Sequence, residues 1–117
     1  MSLASLIAKG YTQNANALPP KTAMEMATIR GAEALLLEDE VGSLEVGKKA
    51  DIQLIDTTGP HYYPMEDPVV HLVYSGYSTD VNTVIINGKV VMHDRRLTTI
   101  DLSQVNGEVD RIIKRLR

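Results

Sequence analysis

Gly42-Ser43-Leu44-Glu45-Val46-Gly47-Lys48-Lys49-Ala50-Asp51-Ile52-Gln53-Leu54-Ile55-Asp56 decides the fold, because here the chain passes from helical to β sequence. Gly42 and Gly47 bracket a short piece, Ser43 to Val46, that reads as extended. Glycine takes backbone angles with φ above zero at little steric cost, so both positions suit tight turns. Lys48-Lys49 keeps the second turn in water, and Ala50-Asp51 leads into Ile52 to Ile55, a short apolar strand. Asp51 is expected to serve the turn by accepting backbone N–H groups. The strand stops at Asp56 and the breaker Thr57-Thr58-Gly59-Pro60.

Upstream of this stretch the sequence is helical. Ala4 to Gly10 reads as the last turns of a helix with Gly10 at its C-cap, followed by a polar loop from Tyr11 to Ala17. Pro19-Pro20 interrupts the chain, and Pro20 suits the first turn of a helix through Ala27, where its missing N–H costs nothing. Thr28 is placed to cap a further helix through Leu36. Gly31 inside it costs about 1 kcal/mol relative to Ala, and such a glycine either lets another backbone come close or leaves a loose helix. Glu38-Asp39-Glu40 reads as a solvated turn.

Downstream the sequence is mostly β. Asn87-Gly88 between Val84-Ile85-Ile86 and Val90-Val91-Met92 is the preferred type I′ hairpin turn, whose central residues both need φ above zero. His61 to Pro64 reads as an extended surface segment and Tyr77 to Asp80 as loop. Asp67-Pro68 opens a short helix with an Asp cap and Pro at its first position, ending by Gly76. His93 to Arg96 reads as a second turn, with Leu97-Thr98-Thr99 a short extended piece after it. Asp101 with Gln104 forms a capping-box pattern. Leu102, Val105, Val109, Ile112, Ile113 and Leu116 then recur at helical spacing, giving an aliphatic stripe that must pack on something. A basic amphipathic helix can also lie on a membrane, but docking on a protein is its commoner use.

Composition limits the function. At 117 residues the chain is one domain's worth or a piece of a larger one, and its five tyrosines are its only aromatic residues apart from histidine. A net charge of −3 with mixed signs argues against nucleic acid as a partner. No apolar run reaches the roughly 18 residues of a membrane span. The chain has no cysteine, which fits a cytoplasmic location and removes thiolate chemistry. One reading of Met1-Ser2-Leu3 is an added start, with the natural sequence beginning near Ala4. His61, His71 and His93 make no His-x-His or His-Glu-x-x-His spacing, so each is read as a surface or half-buried polar residue. Asp80 and Asp94 are read as turn residues, and the tyrosines as packing residues. No nucleophile, base and orienting partner assemble, so no catalytic, cofactor-binding or metal-ligating residue is assigned.

Taken in order, Leu18-Pro19-Pro20, Met26-Ala27-Thr28, Gly31-Ala32-Glu33-Ala34-Leu35, the stretch from Gly42 to Asp56, Pro60-His61, Asp67-Pro68, His71 to Tyr74, Asp80-Val81, Asn87 to Val91 and Leu97 to Thr99 carry a resemblance. The chain resembles the C-terminal part of the metal-dependent amidohydrolases, in the branch of cytosine deaminases, chlorohydrolases and S-adenosylhomocysteine deaminases. The resemblance implies an α+β fold. Residues 1–36 would be the last helices around a (β/α)8 barrel, and residues 37–117 the C-terminal part of a composite β-sandwich with a terminal helix docked back on the molecule. It implies that the parent hydrolyses C–N bonds with a divalent metal, zinc or iron, by hydrolytic deamination of an adenine-type nucleoside. The catalytic histidines, Glu and Asp of the family would lie upstream, with no counterpart here. On this reading the chain alone is inactive, with no cofactor of its own. The rest of the parent enzyme is its partner, and unpaired strand edges would drive self-association. The competing readings are a self-sufficient binding or assembly module and a small enzyme in its own right.

Overall fold

The computed structural model describes residues 1–116. Helices α1 (Ser2–Thr12), α2 (Pro20–Met26) and α3 (Ile29–Ala34) precede strand β1 (Ile52–Ile55). Helix α4 (Pro68–Tyr74) follows, then β2 (Val81–Ile86), β3 (Lys89–His93), β4 (Arg96–Leu97) and helix α5 (Leu102–Leu116). The strands form one antiparallel sheet in the order β1-β2-β3-β4, so the free edges belong to β1 and β4. The α+β class expected from the sequence is the class observed.

Local chemistry explains most of these elements. Asn87 and Gly88 have φ of 49° and 76°, the type I′ geometry that matches the twist of β2 and β3. Asp51 Oδ1 accepts the N–H of Asn87 at 2.6 Å, so the turn at the end of the glycine-bracketed stretch anchors the hairpin tip. Asp67 Oδ1 accepts the N–H groups of Val69 and Val70 and caps α4. Gly42 and Gly47 take φ of 96° and 97°. At Gly42 a Cβ would lie 2.8 Å from Ala32 Cβ and 3.0 Å from Ile29 Cα, so the turn packs directly on α3. Gly31 does admit a neighbouring backbone: a Cβ there would lie 2.9 Å from the Met26 carbonyl oxygen.

Several expectations are corrected. Helix α1 runs through Gly10 and ends at Gln13, whose φ of 51° supplies the left-handed cap. Thr28 precedes α3 without capping it, because its hydroxyl donates back to the Met24 carbonyl at 2.8 Å. Ser43 to Val46 forms no strand. Pro60–Tyr62 and Ser78–Asp80 are 3₁₀ turns, and Tyr62, expected at the surface, is only 2% exposed.

The interior is small. Ala23, Ala32, Tyr62 and Val73 are its buried apolar residues, and Ser5, Asp80 and Thr83 its buried polar ones. Helix α4 packs on α2. Ser5 Oγ donates to the Leu18 carbonyl at 2.7 Å and lies 2.9 Å from the Tyr74 hydroxyl, tying α1 to α4. Helix α5 buries no residue, so the stripe expected to dock lies open within this chain. The radius of gyration is 18.1 Å, against about 13 Å for a compact chain of this length.

Replacing Gly88 by Ala meets no neighbour and strains only the backbone, so about 1 kcal/mol of stability should be lost. Gly42→Ala adds a clash with α3 to the same strain and should cost roughly 2–4 kcal/mol. Urea unfolding of both variants checks the order.

Candidate functional site

The densest polar cluster lies where the sheet meets the helices. Asp80 ends the 3₁₀ turn just before β2, and its Oδ2 gathers three donors. The backbone N–H of Tyr77 lies at 2.7 Å, and His61 Nε2 and the Tyr62 hydroxyl each at 3.0 Å. Residues 61 and 62 reach Asp80 because Pro60 starts a 3₁₀ turn that puts both rings on the inner side. The rings stack loosely: His61 lies 4.4 Å from Tyr62 and 5.1 Å from Tyr77 between centroids. Tyr62 also borders Gly76, where a Cβ would sit 3.1 Å from its hydroxyl and 2.8 Å from the Leu72 carbonyl oxygen.

A second set of bonds locks the same joint from the sheet side. The backbone N–H of Asp56 donates to the Asp80 carbonyl at 2.8 Å. Arg95, in the turn between β3 and β4, donates from Nη2 to Asp56 Oδ2 and from Nε to the Thr79 carbonyl, both at 2.8 Å. That turn holds Asp94 and Arg95 at φ of 47° and 61°, a left-handed pair without glycine.

The electrostatics describe a fixed anion. The Tyr77 N–H, then the His61 and Tyr62 donors, hold the Asp80 carboxyl below its ordinary value against the opposing effect of burial. Burial first, and Asp80 second, push the Tyr62 hydroxyl up. The Thr58 hydroxyl and N–H, followed by Arg95, bring Asp56 down to about 2. A general base works best with a pKa near the working pH and a free lone pair toward substrate. The donors on Oδ2 move Asp80 away from that range, and they tie the 60–62 turn to the turn before β2.

The other histidines do not join it into a ligand set. His71 lies on α4 with its ring 6.4 Å from Tyr62, and its buried Nδ1 has no hydrogen-bond partner. His93 ends β3, with Nδ1 3.3 Å from the Thr83 hydroxyl and Nε2 3.6 Å from Asp94. Among the described residues no three His, Asp or Glu side chains converge in the manner of a metal site. His61 Nε2 and Asp80 Oδ2 are engaged with each other at 3.0 Å. No helix among the described residues is long and apolar enough to cross a membrane. Sequence reasoning missed the cluster. Its single signal was Pro60-His61, which gave no hint of a partner 19 residues on.

Comparison with known proteins places this architecture. The pattern of the amidohydrolase family matches residues 1–91, and the chain belongs to that family. It is 46% identical over 113 residues to a 5-methylthioadenosine/S-adenosylhomocysteine deaminase of Thermoanaerobacter pseudethanolicus, covering 97% of this chain and 26% of that protein. It is 44% identical over 106 residues to the deaminase of the same name from Moorella thermoacetica, covering 91% and 25%. Among solved structures it is similar to an adenosine deaminase from Xanthomonas campestris with bound zinc, with a TM-score of 0.91 and 32% identity over 97% of this chain and 26% of that one. An atrazine chlorohydrolase from Arthrobacter aurescens complexed with zinc follows at a TM-score of 0.80 and 27% identity, covering 96% and 26%. The chain thus spans about a quarter of the length of the relatives it matches.

Removing the Tyr62 hydroxyl (Tyr62→Phe) should cost about 1–2 kcal/mol, since a buried carboxylate loses one donor. Asp80→Ala frees three donors at once and should lower the unfolding midpoint further. Asp56 predicts an acid limb. Its folded pKa of about 2 lies below the ordinary 3.8, so its contribution is complete above that value and fades as pH falls toward 2. Asp56→Asn should flatten that part of a plot of thermal midpoint against pH.

Proposed function

We propose that this chain is the non-catalytic C-terminal structural portion of an amidohydrolase. Its intact form would hydrolyse C–N bonds with a bound divalent metal, taking an amino group from an adenine-type nucleoside as ammonia. The names of the similar relatives, deaminases of 5-methylthioadenosine and S-adenosylhomocysteine, support the substrate class. Zinc in the similar solved structures supports the metal. On this reading the metal and the reacting groups belong to the remaining three quarters of the enzyme. This chain covers the barrel and completes the sandwich.

The observation that carries the structural role is area. The chain exposes 9004 Å², whereas a compact monomer of its mass exposes about 6,300 Å². The excess, about 2,700 Å², is the size of an obligate interface. It includes Leu3, Leu6 and Ile7 of α1, Leu54 of β1 and the whole apolar face of α5. Such surface is what a barrel-covering helix and a half-sandwich present before the barrel is there. The second reading, a self-associating module without enzymatic activity, draws on the same surface and on the free edge of β1.

The purified chain with zinc should release no ammonia from adenosine, 5-methylthioadenosine or S-adenosylhomocysteine. Co-expressed with the remaining three quarters of the Thermoanaerobacter relative, it should co-purify with that piece and restore deamination. Turnover by the chain alone contradicts the proposal, and failure to associate with the barrel piece favours the module.

A further inference from the structure

Asn-Gly occurs twice in the chain, at Asn87-Gly88 in the hairpin and at Asn106-Gly107 in α5. Each follows a β-branched residue, Ile86 or Val105, so the local chemistry of the two sites is alike. This dipeptide is prone to a reaction that needs no enzyme. The backbone nitrogen of the glycine gives up its proton and attacks the side-chain carbonyl carbon of the asparagine. A C–N bond forms, and the side-chain nitrogen leaves as ammonia. Water then opens the succinimide ring at either carbonyl, leaving aspartate or isoaspartate. One amide and one water become one carboxyl and one ammonia, and nothing is oxidised or reduced. Glycine favours the step because it has no side chain to crowd the ring and its backbone turns freely.

The fold treats the two sites differently. At the hairpin both backbone nitrogens are held from outside the turn. The Asn87 N–H donates to Asp51 Oδ1 at 2.6 Å, and the Gly88 N–H donates to the Ala50 carbonyl at 3.0 Å. Freeing the attacking nitrogen there means parting the hairpin tip from residues 50 and 51, beside the β1–β2 pairing. In α5 the helix directs the Gly107 N–H at the Ser103 carbonyl one turn back. Asn106 and Gly107 are exposed, a Cβ at Gly107 would meet nothing within 4 Å, and no residue of α5 is buried. A solitary 15-residue helix is marginal in water, and Gly107 weakens this one further. Local fraying is enough to open Asn106, whereas Asn87 opens only with a larger unit. We propose that Asn106 is a site of spontaneous deamidation while α5 lies uncovered, and that the bonds to Ala50 and Asp51 protect Asn87. Isoaspartate at 106 adds a charge and lengthens the backbone by one methylene. It breaks the helical register between Val105 and Val109, so the apolar face is no longer continuous. The inference rests on α5 and the hairpin, not on the function proposed above.

Peptide-mapping mass spectrometry on the full chain, incubated in mildly alkaline buffer, tests this, with isoaspartate separated from aspartate by chromatography. Asn106 should be converted about tenfold or more faster than Asn87, because its opening is the less costly. In urea strong enough to unfold the chain the two rates should converge. Gly107→Ala, which has open space and favours the helix, should slow conversion at Asn106 and leave Asn87 unchanged. Unchanged amide protection in β2 and β3 shows that the variant is folded. Equal rates at the two sites in the folded chain overturn the proposal. So does faster conversion at Asn87, an Asn106 rate unmoved by Gly107→Ala, or an Asn106 that stays intact in the folded chain while the chain in urea is modified.

Discussion

The structure depends on one carboxylate being in place. Asp80 binds the 3₁₀ turn through Tyr77, the 60–62 turn through His61 and Tyr62, and the end of β1 through its own carbonyl. Those three segments carry the chain between the sheet and the α2–α4 pair. A buried acceptor with three donors is directional in a way that aliphatic contact is not. It sets the angle between sheet and helices with very little interior to help. Arg95 repeats the logic from outside, reaching Asp56 and the Thr79 carbonyl with one side chain.

This polar joint compensates for a core too small to define the arrangement alone. Tyr62 is the largest fully buried side chain, and it is half of the joint as well as its main packing element. Outside it, aliphatic side chains face outward along α1, β1 and α5. A chain of average composition does not leave that much apolar surface in water unless something else covers it. On the proposed reading, the remaining three quarters of an amidohydrolase would be that cover.

What the sequence disclosed follows the range of the interactions. Asn87-Gly88, Asp67-Pro68, the two positive-φ glycines and the α5 stripe are settled by neighbours within a turn, and each was readable. The joint was not. His61 and Asp80 are 19 residues apart, have no periodic relation, and look like ordinary loop residues until the 3₁₀ turns bring them together. Asp94 and Arg95 are left-handed without glycine, held by tertiary bonds to Asn82, Thr79 and Asp56, whereas Gln13 ends α1 through a local bond to the Lys9 carbonyl. The stripe of α5 announced an apolar face, and within the folded chain that face stays uncovered.

Amide hydrogen exchange on the dilute, monomeric chain tests the central claim most directly, that its order radiates from the Asp80 joint and its outer faces await a partner. The account predicts strong protection in β2 and β3 and at Asp56, whose N–H lies inside the joint, with α1 and α5 exchanging nearly as fast as unstructured peptide. Protection of α1 and α5 equal to that of β2 in the monomer would contradict it.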